Sequence, residues 1–522
     1  MKPPEWIDRH GVHLALGAFV LLLWSGLAFL AAPLDYPSRH DGSYYYTAAL
    51  AWAQGEGLTV GYRMFHFGAL ADSVRTPAFD LWMPGMAGIL GLPLAILGPS
   101  PQVALISIVF LAGLVPVAAW AQARLLGVSP GWAWLAALLV ATQPNLMMWS
   151  LTTYAQIPFM LLCTLSLCAL LAGISSGGLW LEAGVGVAAL AHMVRGDGAS
   201  LVLTSFAVLL LSTRCPRRMA RAVILYALLM SPLWARNFTV FGSPMPPGNL
   251  VGTLLTQYND FFSTTREISL EKCLAQGMPV LAAQRLHAYR VELGHVLSYF
   301  PLSFLLLLIP SLMDPKLRAR AWPMAVLVVA AGIVHFIIPL TVVGQSGQEA
   351  NPTLLVALPI LAALGMGGLE RISARSRPLL KRLLFLLVGS YAAISTFNGV
   401  SRCRAFEVAL LDYGNHMEAL GKVLEPRDQA VVMSCSPADF NAVLGLAGVG
   451  IPDEEPAEIL RVARHFGCTH LVFEEDHTEN FSRGVKKLLS LNTSSARSAC
   501  WVCSTWGAKS AVARRAFFNS FL

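Results

Sequence analysis

Long apolar runs separated by short polar loops fill the first 400 residues of the chain. The first run covers residues 12–32. Ten more follow, at about 101–123, 131–148, 156–173, 179–194, 199–213, 221–235, 294–313, 322–343, 353–369 and 379–397. Because about 20 apolar residues in a helix cross the hydrocarbon core of a membrane, the pattern predicts an α-helical polytopic membrane protein of about eleven spans.

One shorter apolar segment, 82–98, differs from the others because prolines and glycines interrupt it. These residues are Pro84, Gly85, Gly88, Gly91 and Pro93. Its amphipathic character, with Trp82 at the start, is typical of a segment that lies at the membrane interface. We therefore expect that it does not cross the membrane, or that it dips in and returns.

The composition agrees with this class of protein. Hydrophobic residues make up 55% of the chain and charged residues 13%, with a mean hydropathy of +0.59, whereas a soluble domain carries about 25% charged residues. The first apolar run lacks a small-residue cleavage site followed by a polar region, so we expect it to be a retained signal anchor. The net charge of +7 comes from basic loops between spans and does not indicate a nucleic-acid partner.

Those basic loops also predict the orientation of the chain. Three of them hold twelve Lys and Arg residues against only Asp314 and Glu370, and loops with this excess stay in the cytoplasm. The loops rich in other polar residues then face the outside, together with the C-terminus, and we expect the active face of the protein there. The outer loops are 33–80, 148–156, 195–198, 236–292 and 344–349.

The first outer loop carries Asp41, followed by three tyrosines at 44–46 that are suited to stacking on a sugar or packing at lipid headgroups. Residues 43–54 predict a short helix that ends at a Gly-Glu-Gly sequence, with Ser43 as its N-cap. The positive end of that helix would favour the ionised form of Asp41. The alternative is that Asp41 is an ordinary turn residue in an Asp-Gly pair.

Cations in the outer loops are candidates for binding a phosphate. Arg75 follows Arg63 and His66 in the first outer loop, and the alternative role of these residues is snorkelling to anionic headgroups. The pair Arg236-Asn237 opens the long outer loop. It is suited to binding phosphate bidentately, and its alternative role is an interfacial anchor ahead of a proline turn.

The sequence Arg-Gly-Asp-Gly places Arg195 and Asp197 between two apolar runs. A charged side chain at the centre of a bilayer costs roughly 2.5–3.5 kcal/mol on insertion scales. We therefore expect both side chains to face water or a cavity.

The composition changes from about residue 401, where 14 of the 30 acidic residues lie between 407 and 479. Short β-rich runs alternate with helical patterns at 429–434, 438–446, 449–452, 455–466 and 470–474. The pattern predicts a transmembrane module over 1–400 and a small C-terminal extracytoplasmic α/β domain over 401–522. The domain contains no nucleotide-binding glycine motif, its acidic runs are interpreted as solvated surface, and Cys500 and Cys503 are a candidate disulfide or redox pair.

Residues 10–400 resemble the GT-C superfamily of glycosyltransferases that use polyprenyl-phosphate sugars, in particular bacterial protein-mannosyltransferase-like and aminoarabinose-transferase-like enzymes. The order and spacing of four segments carry the resemblance. They are Asp41 and Tyr44 with the Ala-Leu-Ala-Trp-Ala-Gln-Gly-Glu-Gly run, the segment 82–98, Arg195–Gly198, and Arg236-Asn237 through Pro244.

The resemblance implies a GT-C fold and the transfer of a sugar from a lipid phosphate to a glycan, lipid or protein hydroxyl. It assigns Asp41 as the base of a direct, inverting attack, with a divalent metal as an option rather than a required cofactor. The candidate phosphate ligands are Arg75, Arg195 and Arg236. The candidate donor or acceptor contacts are His40, Tyr44, Tyr45, Asp197, Asn237, Gln345 and Glu349.

Two positions depart from the family pattern. Family members often carry an acid in the second outer loop, where this chain has Tyr154-Ala155-Gln156, and an Arg-Tyr pair near residues 349–352, where it has Glu-Ala-Asn-Pro. Two other classes of function stay open at this point. One is a transporter or flippase of lipid-linked sugars, although its expected internal repeat is not evident, and the other is a non-catalytic membrane scaffold.

Overall fold

The computed structural model describes residues 5–252, 254–284, 286–287, 290, 308–337, 357–374, 378–424, 430–473 and 500–503. The first group of helices is α1 Glu5–Ala31, α2 Asp41–Ala53, α3 Gly85–Leu97, α4 Pro101–Leu125, α5 Pro130–Ala141, α6 Pro144–Trp149, α7 Gln156–Ser176, α8 Trp180–Val194, α9 Gly198–Thr213 and α10 Pro216–Phe241. The second group is α11 Pro247–Gly252, α12 Leu270–Ala275, α13 Leu308–Met313, α14 Pro315–Ile337, α15 Ala357–Ala374, α16 Pro378–Val423, α17 Pro437–Leu444 and α18 Pro456–His465, with a 3₁₀ helix over Tyr258–Phe262. The strands are β1 Thr59–Val60, β2 Tyr62–Arg63, β3 Thr76–Pro77, β4 Val431–Ser434, β5 Ala447–Gly450, β6 His470–Phe473 and β7 Cys500–Cys503.

Five of the described helices are long and apolar enough to cross a membrane: α4, α7, α10, α15 and α16. Shorter apolar helices pack among them, since α8 lies between α7 and α9, and α5 lies between α4 and α15. Three predicted spans, 294–313, 322–343 and 353–369, lie partly outside the described residues. The count of eleven spans and the side of each loop therefore stay predictions.

The segment with prolines and glycines forms α3, which packs along α2. Gly91 permits the close approach, because a Cβ there would lie 2.4 Å from the ring of Trp52. A helix of 13 residues is about 20 Å long, less than the roughly 30 Å of a hydrocarbon core. The helix is too short to cross a membrane by itself.

The helix α16 continues for 46 residues, from the last predicted span into the C-terminal part of the chain. Residue 400, where the sequence predicts a domain boundary, lies inside this helix. Ser395, near the middle of α16, donates to the carbonyl oxygen of Thr142 at 2.8 Å. The other end of α16 packs against α17. One continuous helix thus contacts both parts of the molecule.

The C-terminal elements follow the predicted α/β alternation. Four strands of this part form a parallel sheet with the order β5-β4-β6-β7, and α17 and α18 connect β4 to β5 and β5 to β6. A fifth strand was not predicted there. It is β2 of the first outer loop, which pairs parallel to β5 through Tyr62 and Arg63. The sheet therefore extends beyond residues 401–522, and the first outer loop is part of it.

Candidate active site

Asp41 is the first residue of α2, at the end of a tight loop. Ser38 and His40 in this loop have φ angles of 125° and 51°, in a region that residues other than glycine seldom adopt. Gly42 has no room for a side chain, because a Cβ there would lie 1.7 Å from Ser38 Oγ and 2.8 Å from Tyr154 Cε1. Strained backbone of this kind clusters at functional sites.

The predicted N-cap of this helix is wrong. The helix begins at Asp41 with His40 in the cap position, two residues before the predicted start. Ser43 lies inside the first turn, and its hydroxyl donates to the carbonyl oxygen of Ser38 at 2.7 Å. The serine hydroxyl therefore closes the loop before the helix and does not cap its backbone amides.

The second outer loop, 148–156, is where the family pattern often has an acid. It contacts residues 37–42, the loop that leads into α2 and is called the Asp41 loop below, and holds this loop in place. The Thr153 hydroxyl lies 2.8 Å from the carbonyl oxygens of both Pro37 and Gly42. The Tyr154 hydroxyl donates to the carbonyl oxygen of Arg39 at 2.9 Å. These contacts join the loop to the end of the membrane helices.

A carboxylate of the C-terminal part contacts the same loop from the other side. Asp439 in α17 is fully buried, and its two oxygens accept hydrogen bonds from the backbone N–H of His40 and from the hydroxyl of Tyr413, each at 2.8 Å. The guanidinium of Arg39 lies 4.6 Å from the centre of the Tyr413 ring. The candidate base is therefore held between the membrane part and the α/β part.

Arg195 and Asp197 form an ion pair beside Asp41. Two guanidinium nitrogens of Arg195 donate to one carboxylate oxygen of Asp197, at 2.9 and 3.1 Å. Burial lowers the pKa of Arg195, but the charges of Asp197, Tyr45 and Asp41 outweigh it and hold that pKa above its ordinary value. The pair lies where α8 ends and α9 begins, and the four side chains form one electrostatic group.

The environment of Asp41 opposes its ionisation. Burial raises the pKa of its carboxyl group above the ordinary value, and the nearby charge of Asp439 adds to this, although His40 and Arg195 act in the opposite direction. The sequence predicted that the helix end would favour the ionised form. That expectation is wrong in its direction, because desolvation outweighs the favourable charges.

Tyr44 and Tyr45 are used for internal packing. Both are almost fully buried, and their rings contact Phe79 and Trp82, with the ring centres of Tyr44 and Trp82 4.5 Å apart. The Tyr44 hydroxyl also accepts a hydrogen bond from the backbone N–H of Phe79. Contact of either ring with a substrate stays a prediction.

Arg236 and Asn237 lie near the end of α10 and join it to the outer loops. Arg236 donates to the carbonyl oxygen of Ala78 and to Asn237 Oδ1, the latter at 3.2 Å. Asn237 is fully buried, and its amide donates to the carbonyl oxygen of Pro244 at 3.0 Å. The pair therefore has partners within the protein at the helix end, and both the phosphate-binding role and the interfacial role stay predictions.

A second charged group, which sequence reasoning did not select, centres on Asp80. Burial raises the pKa of Asp80 to about 6, although Arg63 and Arg236 lower it. Arg63 has a buried Nε for which the described part of the chain provides no hydrogen-bond partner. The structure thus brings Arg236 together with Asp80 and Arg63.

The remaining predicted residues are not in these groups. Arg75 is an exposed residue whose guanidinium pairs with Glu56 at 2.7 Å and donates to the Thr59 hydroxyl at 3.0 Å. Gln345 and Glu349 lie outside the described residues, as do the side chains of Cys500 and Cys503. In the described ranges, no cluster of three or more His, Cys, Asp or Glu side chains could hold a metal ion.

Sequence reasoning missed Asp439, Tyr413 and Asp80 for different reasons. Asp439 lies 398 positions after Asp41, inside a helix that was correctly predicted, and no local pattern relates the two. Tyr413 lies on the continuation of a predicted span. Asp80 offered a detectable signal, since an acid between Phe79 and Leu81 in a membrane-proximal loop is a functional candidate by itself.

No protein-family model and no curated protein sequence matches the chain. Among solved structures, it is similar to ArnT from Cupriavidus metallidurans bound to undecaprenyl phosphate, with a TM-score of 0.50 and 13% identity over 87% of this chain and 88% of that chain. The apo state of that ArnT gives a TM-score of 0.49 at 13% identity, over 92% and 89% of the two chains. The archaeal oligosaccharyltransferase AglB from Archaeoglobus fulgidus, in complex with an inhibitory peptide and a dolichol-phosphate, gives 0.47 at 11% identity, over 89% and 69%.

Of these three likenesses, the one to ArnT bound to undecaprenyl phosphate reaches 0.50 and covers most of both chains. It shows that the two proteins share a fold. The predicted polytopic helical fold is thereby confirmed as one that this chain shares with ArnT. At 13% identity the likeness concerns the fold alone, and activity is argued from the site.

Proposed function

We propose that the chain is a membrane glycosyltransferase that moves a sugar from a polyprenyl phosphate to an acceptor hydroxyl. The observation that carries the proposal is the Asp41 carboxylate, held at the strained start of α2 beside Arg195 and Asp197, in a chain with the fold of ArnT. That ArnT structure contains undecaprenyl phosphate, and we infer a donor of the same chemical class here.

The proposed reaction is a single displacement. The acceptor oxygen attacks the anomeric carbon of the sugar, and its proton passes to a carboxylate oxygen of Asp41. As the new bond forms, the bond from the anomeric carbon to the phosphate oxygen breaks, and its electron pair stays on the phosphate. The configuration inverts. No general acid is needed, in contrast to glycosidases, because phosphate is already a good leaving group.

The raised pKa of Asp41 suits this role. A general base transfers a proton most effectively when its pKa approaches the working pH, and burial moves the pKa of Asp41 in that direction. Asp41 also keeps a partly exposed surface, which leaves the carboxylate reachable for an acceptor hydroxyl. The activity should therefore rise with pH as Asp41 ionises.

Arg195 is the cation best placed to stabilise the phosphate as it gains charge. Its interaction with Asp41 places it beside the proposed base, and its ion pair with Asp197 keeps the guanidinium oriented before the donor binds. Arg236, with Arg63, supplies a second positive group near Asp80. Arg75 is the third proposed phosphate ligand. The other proposed contacts are His40, Tyr44, Tyr45, Asp197, Asn237, Gln345 and Glu349.

The proposed side of the membrane rests on α9. This helix begins beside Asp197 and ends at the basic loop that starts with Arg214. Its 16 residues form about 24 Å of helix, which separates Asp197 from the basic loop. If the basic loop is cytoplasmic, the Asp41 site is extracytoplasmic.

The test compares three purified and reconstituted proteins: the natural chain, Asp41→Asn and Asp412→Asn. Asp412 is exposed on α16 next to Tyr413, which makes its substitution a matched control for the loss of one carboxylate. Each protein is incubated with a panel of radiolabelled polyprenyl-phosphate sugars and a membrane extract as the source of acceptors. We expect transfer by the natural chain and by Asp412→Asn, and a loss of about 100-fold or more for Asp41→Asn.

Full transfer by Asp41→Asn would contradict the assignment of the base. Absence of transfer from every donor would contradict the glycosyltransferase itself. In that case, movement of a labelled lipid-linked sugar between the leaflets of proteoliposomes would identify a flippase.

A further inference from the structure

The contact between Asp439 and the Asp41 loop is the least expected feature of the site. Asp439 belongs to α17, the helix that follows β4, yet its carboxylate accepts the backbone N–H of His40 at 2.8 Å. Its other oxygen accepts the hydroxyl of Tyr413 at 2.8 Å. A buried carboxylate without such partners would be costly, so both hydrogen bonds stabilise this arrangement.

The backbone at His40 depends on this acceptor. Its φ of 51° is unfavourable for a residue with a side chain, and such a conformation persists only where surrounding contacts fix it. The N–H of His40 lies immediately before Asp41, so the hydrogen bond to Asp439 fixes the peptide unit that leads into the proposed base. A hydrogen bond to a carboxylate is stronger than one between neutral groups, and this bond offsets the strain at His40.

The other contacts of the loop come from a different part of the chain. Thr153 and Tyr154 contact the carbonyl groups of Pro37, Arg39 and Gly42. The N–H of His40 donates instead to Asp439. The membrane part thus fixes carbonyl groups of the loop, and the C-terminal part fixes the amide that sets the direction of Asp41.

Two further contacts couple the C-terminal part to this loop. The helices α2 and α17 pack against each other, and β2, from the same outer loop, is an edge strand of the C-terminal sheet. A shift of the C-terminal part would therefore be transmitted to the start of α2. This makes the α/β part a component of the site rather than an appendage.

We propose that Asp439 is a positioning residue, through which the C-terminal α/β part holds the proposed base Asp41 in the orientation needed for proton transfer. The role in catalysis rests on the function proposed above. The structural part of the inference, that Asp439 fixes the loop, does not depend on it. Neither part requires Asp439 to touch the substrate.

The charge of Asp439 adds an effect on pH dependence. The charged and titratable groups around Asp41 are His40 in its own loop, Tyr45 on α2, Arg195 and Asp197 at the α8–α9 junction, and Asp439 on α17. Tyr413 and Tyr62 lie beside Asp439, and Arg39 lies over the ring of Tyr413. Within this set Asp439 raises the pKa of Asp41. Removing its charge should lower that pKa and leave the base ionised at lower pH.

The experiment uses Asp439→Ala, Asp439→Asn and Tyr413→Phe in the full chain, with Asp412→Asn as the control. The alanine variant removes the acceptor for His40, the asparagine variant keeps an acceptor but removes the charge, and the phenylalanine variant removes one donor to Asp439. Hydrogen exchange over residues 38–46 measures the loop directly. We expect faster exchange in Asp439→Ala, little change in Asp439→Asn, and exchange like that of the natural chain in Asp412→Asn.

Kinetics measure the catalytic consequence. Because displacement by about 1 Å can reduce a rate by about 100-fold, we expect kcat in Asp439→Ala to fall by about tenfold or more with little change in the KM for the donor. Asp439→Asn should restore much of kcat and shift the acidic limb of the pH profile to lower pH. Tyr413→Phe should reduce kcat less than Asp439→Ala does, because it leaves the hydrogen bond from His40 to Asp439 in place.

Unchanged exchange and unchanged kinetics in Asp439→Ala would overturn the proposal. If Asp439→Ala does not fold, an acidic limb in Asp439→Asn identical to that of the natural chain would overturn the electrostatic part. If the natural chain transfers no sugar, the proposed function fails, whereas the exchange measurement still decides whether Asp439 fixes the loop.

Discussion

Two regions of the molecule place an acidic residue near the start of a helical turn, and their surroundings shift the pKa of the carboxyl group in opposite directions. Asp260, at the 3₁₀ helix, accepts three hydrogen bonds from Thr256 and Gln257 at 2.8–3.0 Å. Arg266 bridges it to Asp453 of the C-terminal part, at 3.2 and 2.7 Å. Burial raises the pKa of Asp260, but the hydrogen bonds from Thr256 and Gln257 outweigh it and hold that pKa below its ordinary value.

Asp41 lies in the contrasting region. The groups that act on it are charges of both signs, and burial leaves its pKa raised. In the network around Arg266, opposite charges are paired, and the pairs stabilise the folded structure. At Asp41, the surroundings make the ionised form energetically unfavourable. A shifted pKa of this kind is expected for a group with a chemical task.

The substitution Asp41→Asn should have the largest effect, and it tests this contrast through activity and stability together. Since the folded protein disfavours the ionised carboxylate, its stability falls as pH rises from the ordinary pKa of 3.8 to the raised folded value, and this cost persists at neutral pH. The asparagine variant should lose transfer by about 100-fold or more and unfold at an equal or higher temperature. A lower midpoint of thermal unfolding in a fluorescence assay would show that Asp41 is structural.

The next largest effect is expected at Gly42, which tests whether the loop geometry matters. In Gly42→Ala the new Cβ would lie 1.7 Å from Ser38 Oγ and 2.9 Å from Thr153 Oγ1, so the start of α2 must shift. We expect about a tenfold or larger fall in kcat and faster hydrogen exchange over residues 38–46. Gly88→Ala in α3 is the control, since nothing lies within 4 Å of its Cβ. Equal kcat values in the two variants would argue that the loop tolerates the shift.

The Asp260 region should respond in stability rather than in activity. Asp260→Asn removes the charge that pairs with Arg266 and should cost about 1.5–3 kcal/mol, with unchanged transfer per folded molecule. Because the folded pKa of Asp260 is lowered, its contribution is complete above the ordinary value of 3.8 and is lost as pH falls through the folded value. Thermal unfolding of the natural chain and the variant at neutral and acidic pH measures this. A difference that persists unchanged at the lowest pH would contradict the electrostatic origin.

The contrast also indicates what could be predicted from the sequence. Apolar periodicity predicted the helices, and the alternation after residue 429 predicted β4, α17, β5, α18 and β6 to within a few residues, because local patterns set these elements. Arg195 and Asp197 were selected because charged residues between apolar runs are costly, whereas Asp41 was selected from its place before three tyrosines in the first outer loop and from the family resemblance.

The parts that could not be predicted depend on contacts across hundreds of residues. The pairing of β2 with β5 relates residue 62 to residue 448, and two residues are too few for a strand pattern. The hydrogen bond from His40 to Asp439 has the same character. The direction of the pKa of Asp41 was predicted incorrectly because the helix end was visible in the sequence, whereas the burial that outweighs it was not.

The smallest effect is expected for Arg75→Gln, and it decides whether a third cation belongs with the site. The ion pair between Arg75 and Glu56 is exposed, with about half of each side chain accessible, and exposed pairs contribute about 0–1 kcal/mol. Stability should therefore hardly change.

If Arg75 binds the donor phosphate, its substitution must weaken donor binding in a salt-dependent manner and raise the donor KM several-fold with little change in kcat. Glu56→Gln separates the two roles, because it removes the ion pair and leaves the cation. A donor KM that rises in Arg75→Gln alone would add Arg75 to the Asp41 site, whereas an unchanged KM in both variants would assign it to the surface beside the paired strands β1 and β3.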